Sequence, residues 1–139
     1  MTPVRIFIGA ITLIILSACT DDSSVSISQF RGQWVFVNYW AEWCKPCIKE
    51  IPELNQLHLG HDNIVVLGVN FDGETGELLK AQEQELGVAF PTLGTDPSAE
   101  LGIDRPRALP TTVIINPRGE VLNVLIGPQT EESLLAHTR

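Results

Sequence analysis

The chain has 139 residues, 44% of them apolar and 19% charged, with seventeen acidic side chains against nine basic ones and a net charge of −8. That length holds one domain around one core. Scattered basic residues on an acidic background form no stripe that could track phosphates, which argues against a nucleic-acid partner.

The N-terminus reads as a processing segment. Arg5 is followed by a largely apolar stretch over residues 6–16, too short to span a bilayer and of the right length for the core of an export signal. It ends in Leu16-Ser17-Ala18-Cys19, which resembles the lipobox of bacterial lipoproteins. The resemblance implies a signal peptide over residues 1–18, with Cys19 as mature N-terminus and lipid attachment site. It also implies a lipid-anchored protein of the bacterial cell envelope, facing the periplasm or another extracytoplasmic side. Residues 19–28 are polar and serine-rich, as a flexible tether would be. Residues 29–139 then form the domain.

Along that domain, residues 34–39 are β-rich and almost continuously apolar, which predicts a strand covered on both faces. Ile48, Ile51, Leu54 and Leu57 recur at helical spacing and predict an amphipathic helix over residues 45–59, kinked at Pro52. A second buried strand follows over 64–71 and a second helix over 74–86, with Leu78, Leu79 and Leu86 inward and Gly87 as its stop. Residues 90–93 read as a short strand and 98–101 as a helical turn. Residues 111–115 and 120–126 read as strands joined by the turn Asn116-Pro117-Arg118-Gly119, and 131–137 as a last helix. The order predicts an α/β fold around a mixed sheet flanked by helices.

The chemistry lies in Trp43-Cys44-Lys45-Pro46-Cys47. At a helix start, unpaired backbone N–H groups and the helix dipole favour a thiolate on Cys44, and Lys45 adds a positive charge beside it. Cys47 lies one turn on, on the same face. Pro46 is tolerated because the first turn has no partner for its missing N–H. An oxidising compartment would join the pair as a disulfide. A bare C-x-x-C also occurs in zinc and haem sites, but His58, His61 and His137 show no spacing for a closed zinc site, so no metal is expected.

Together with Gly32, the run from Val35 to Cys47, Glu50-Ile51-Pro52, the distant Leu109-Pro110-Thr111-Thr112 before an apolar strand, and Gly119, the motif resembles the thioredoxin superfamily. Within it, the resemblance is to the TlpA-like group of membrane-tethered disulfide reductases. It implies a thioredoxin-like fold with a central insertion, here residues 90–108. Cys44 would be the attacking nucleophile and Cys47 the resolving thiol, with their disulfide as the only redox group. Pro110 would be a cis-proline presenting the backbone of Leu109 to a substrate strand, and Trp43 would contact substrate. Asn38 departs from the buried acid of thioredoxin itself. Glu42, Asp72 and Glu74 are therefore candidates, with Lys45 and Pro46, for tuning the pair. The implied partners are disulfides of other exported proteins and a membrane thiol-transfer electron donor, with cytochrome c maturation as one possible task. The opposite direction, a disulfide-donating oxidase, stays open, as do a metal-binding and a non-catalytic thioredoxin-fold lipoprotein.

Overall fold

The computed structural model describes residues 25–139. The signal read over 1–18, the lipid site at Cys19 and the first part of the tether lie outside the described residues. Val25 and Ile27 pack against the core, and Ile27 begins a 3-10 turn, Ile27–Phe30. The packed domain thus includes the last residues assigned to the tether, because an apolar pair beside the sheet gains more from burial than from solvation.

Four strands form one sheet in the order β2-β1-β3-β4: β1 (Trp34–Trp40), β2 (Ile64–Asn70), β3 (Thr111–Ile115) and β4 (Val121–Ile126). Strand β1 is central, parallel to β2 and antiparallel to β3, and β3 pairs antiparallel with β4 through a register shift between Ile114 and Ile115. Because side chains alternate along a strand, Val35, Val37 and Tyr39 enter one layer of the core while Phe36 enters the other. The second layer lies under helix α1 (Lys45–Gly60), whose Leu54 and Leu57 are fully buried. Burial of each stabilises by about 2 kcal/mol.

Helix α1 continues through Pro52 as one element. Its inward face is Cys47, Glu50, Ile51, Leu54 and Leu57, and Ile48, placed inward by the sequence, is exposed. Helix α2 (Gly76–Leu86) starts two residues later than predicted and ends at Gly87, where φ is 68° and two backbone N–H groups close the last carbonyls. Leu78 is exposed, whereas Leu79 and Leu86 pack toward the cysteines and Gln82 is the buried residue of that face. The last helix, α3 (Glu131–Leu135), opens with a Thr130/Ser133 capping box and tightens into a 3-10 turn, Ala136–Thr138.

The strand predicted over 90–93 is a single bridge between Gly68 and Thr92, held by Gly68 N–H to Pro91 O and Leu93 N–H to Gly68 O, both 2.8 Å. Pro91 has no N–H to extend the ladder. That bridge, with the Val66 N–H donated to His58 Nδ1 at 3.2 Å, covers the outer edge of β2. An uncovered edge would invite pairing with another chain.

Candidate active site

Strand β1 runs out at Trp40, and the loop Ala41 to Trp43 turns the chain into α1 with Cys44 as its N-cap. Cys44 and Cys47 form a disulfide with Cα atoms 5.3 Å apart. The Cys47 backbone N–H points at Cys44 Sγ, 3.3 Å away. A charge on that sulfur after reduction would sit on an otherwise unpaired N–H at the positive end of a four-turn helix, which lowers the cost of the thiolate. Both cysteines are almost fully enclosed, packed on Trp40 and Ala41, and Phe71 and Leu109 close over them.

One open side remains. A hollow of about 460 Å³ is lined by Trp43, Cys44, Lys45, Pro46, Phe71, Arg107 and Leu109. Trp43 is 63% exposed yet fixed, because its Nε1–H donates to Asp72 Oδ2 at 2.8 Å and its ring meets Phe71 edge-on. The Leu109-Pro110 bond is cis, as the resemblance implied, and neither backbone group of Leu109 has a hydrogen-bond partner among the described residues. Trp43, Lys45, Pro46, Leu109 and Cys44 thus come together at one surface.

The three carboxylates proposed from sequence as tuning groups are engaged elsewhere or unconnected. Glu42 accepts from Gln82 Nε2 at 2.9 Å, and Gln82 in turn accepts from Asn70, so Glu42 ties α2 to the active-site loop. Asp72 holds Trp43. Glu74 contributes its backbone N–H to Asn70 and makes no side-chain hydrogen bond among the described residues.

The acid beside Asn38 is Glu50. It lies one helical turn after Cys47 on the inward face of α1, only 2% exposed. Asn38 Nδ2 donates to Glu50 Oε2 at 3.1 Å and to Thr112 Oγ1 at 3.0 Å, and Gln129 N–H donates to Glu50 Oε1 at 2.9 Å. Burial pushes the carboxyl up to about 7, against the pull of the Gln129 and Asn38 donors. A buried carboxyl raised toward neutrality, one helical turn from a cysteine pair, can take up and return a proton. The sequence signal for it was present: Glu50 occupies an inward position among Cys47, Ile51, Leu54 and Leu57, where a charged residue needs a reason.

The segment 90–108 reaches this site through Asp96 and Arg105. Asp96 accepts from Tyr39 O–H and Ser98 N–H, each at 2.9 Å, and pairs with Arg105 Nε at 2.8 Å. Burial and the neighbouring Asp96 hold the Tyr39 phenol well above its ordinary value. Burial also opposes ionisation of Asp96, but the Ser98, Tyr39 and Arg105 donors outweigh it and keep the carboxyl below its usual range. Arg105 donates from Nη2 to Phe71 O at 2.6 Å and stacks its guanidinium 4.2 Å from the centre of the Phe71 ring. Phe71 is therefore a held wall of the hollow.

The family profile of AhpC/TSA matches residues 11–124. The chain belongs to the AhpC/TSA family. Among curated relatives it is 33% identical over 113 residues to the thiol-disulfide oxidoreductase ResA of Geobacillus kaustophilus, covering 80% of this chain and 64% of that protein. It is 35% identical over 102 residues to the thiol:disulfide interchange protein HelX of Rhodobacter capsulatus, covering 73% of this chain and 56% of HelX. The chain thus spans less than two thirds of the length of either. A solved thioredoxin-family thiol:disulfide interchange protein from Chlorobium tepidum matches with a TM-score of 0.60 at 28% identity, over 76% of this chain and 77% of that one. The mixed sheet with its flanking helices is the thioredoxin-like fold. No group of three or more metal-ligating side chains occurs among the described residues, and none of their helices is long and apolar enough to cross a membrane.

Proposed function

We propose that this protein is a thiol-disulfide oxidoreductase that reduces disulfides in other exported proteins. The observation that carries the reading is the Cys44 sulfur at the N-cap of α1, on the Cys47 N–H, opening on a hollow beside the unpaired backbone of Leu109. The names of the relatives support the reaction class.

In the reduced protein the Cys44 thiolate attacks one sulfur of a client disulfide. A mixed disulfide forms and the other client sulfur leaves as a thiolate, which takes a proton. Cys47 then loses its proton to Glu50 and attacks Cys44 Sγ, which frees the second client thiol. Two electrons have passed, and the Cys44–Cys47 disulfide remains. A dithiol donor must return two electrons and two protons; a membrane thiol-transfer protein is the expected class. The reading includes a lipid anchor at Cys19 and an extracytoplasmic position, with cytochrome c maturation as one possible task.

A Cys47→Ser protein tests this directly. Mixed disulfides with exported proteins should accumulate on Cys44 and be identifiable by mass spectrometry. If Cys44 alkylates readily in cells yet traps no partner, the client reading is wrong. A reduction potential well above the glutathione couple would reverse the direction to disulfide donation.

A further inference from the structure

Two cations without acidic partners border the hollow beside Cys44. Lys45 and Arg107 both line it and both are exposed, and neither forms an ion pair among the described residues. The contrast with Arg105, two residues away, is informative. Arg105 is committed to Asp96 and to Phe71 and builds the wall, whereas Arg107 is left facing the opening. No nearby acid forms an ion pair with either cation among the described residues. Asp72 is held by the Trp43 indole, and Glu42 is turned to Gln82. Asp104 lines the adjoining hollow with Arg105 and Arg107 without pairing to either.

On a chain of net charge −8, the two charged side chains that line this hollow are both unpaired cations. The long-range field opposes an acidic visitor, so short-range contacts with these cations decide which segment settles beside Cys44. The remaining walls, Trp43, Pro46, Phe71 and Leu109, suit an apolar neighbour. We propose that this groove selects client segments in which the target cystine is flanked by a carboxylate, with Arg107 and Lys45 as the selecting cations. The inference rests on the reading that the protein acts on protein disulfides, and it gives the 90–108 segment a part in specificity.

The test uses reduced Cys47→Ser protein and three disulfide-bridged peptides that differ only in carrying Glu, Gln or Lys next to the cystine. The rate of mixed-disulfide formation on Cys44 is divided by the rate with 2-hydroxyethyl disulfide, which has no charge. That correction removes any change in thiolate reactivity caused by a substitution at Lys45 or Arg107. The Glu peptide should react about fivefold faster than the Lys peptide, and the preference should fade in about 1 M salt, where screening reaches about 3 Å. Arg107→Gln should weaken the preference and Arg107→Glu should invert it. Equal rates for all three peptides, or a preference that survives Arg107→Glu with Lys45→Glu, overturn charge selection and leave the client reading standing. Capture of no peptide, while the small disulfide still reacts, overturns both.

Discussion

Asn38 on the central strand donates to Glu50 on the cysteine-bearing helix at 3.1 Å, with both side chains enclosed. Its second amide N–H goes to Thr112, so one side chain joins β1, α1 and β3. A neutral amide at this place cannot accept a proton, but it can hold a group that can.

Replacing Glu50 with Gln keeps the volume and removes the acid. The step in which Cys47 resolves the mixed disulfide should slow at least about tenfold, and its pH profile should lose an inflection near 7. Stopped-flow release of client thiol, measured against pH, checks both. An unchanged profile would exclude Glu50 as the acceptor.

The same carboxyl makes a prediction about stability. Its value is raised from 4.5 to about 7, so its contribution is fully present below 4.5 and is lost as pH rises through 7. Relative to Glu50→Gln, the wild type should lose about 3 kcal/mol between those limits. Urea denaturation across pH 4 to 8 reads the difference; parallel curves would contradict it.

His58 acts on the other side. Burial lowers its value from 6.5, and its Nδ1 accepts the Val66 N–H at the edge of β2. Its contribution is therefore present above 6.5 and lost as pH falls below the lowered value. His58→Phe should cost about 1–3 kcal/mol at neutral pH by leaving that N–H without a partner, and should flatten the acid limb of the stability curve. Hydrogen exchange at Val66 should rise in the same variant.

Asp72→Ala releases the Trp43 indole. The Nε1–H resonance of Trp43 should lose its protection from solvent exchange, with a several-fold slower capture of clients on Cys44. NMR of the indole region distinguishes this from a global change, because Trp40 is enclosed and should not move.

Gly68→Ala probes how tightly the floor of the site is packed. A Cβ there would lie 2.8 Å from Trp40 Nε1 and 2.9 Å from Thr92 Oγ1. The cost should be about 1–3 kcal/mol by chemical denaturation, since Trp40 is fully buried in the same core cluster as the cysteines.

Much of this protein was legible from its residues alone. The apolar runs of β1, β2 and β3, the helix start at Cys44 and the stop at Gly87 are local properties, fixed by side-chain patterning and by the freedom of glycine at positive φ. The redox pair was legible for the same reason, because the spacing of Cys44 and Cys47 and their place at a helix N-terminus are written within five residues. The role of Glu50 was not, because a carboxyl is buried or solvated according to what packs over it, and Gln129 and Asn38 come from distant parts of the chain. Glu42 and Asp72 were the acids that sequence proximity put forward, and only their partners Gln82 and Trp43 show that they are engaged elsewhere. Arg105 and Arg107 likewise carry the same charge two residues apart. One is held by Asp96 and Phe71 and the other opens on the groove, a distinction made by three-dimensional neighbours. Chain-local chemistry determined that this protein carries a close cysteine pair at a helix start. The long-range packing of polar side chains decided which acid and which cations stand beside it.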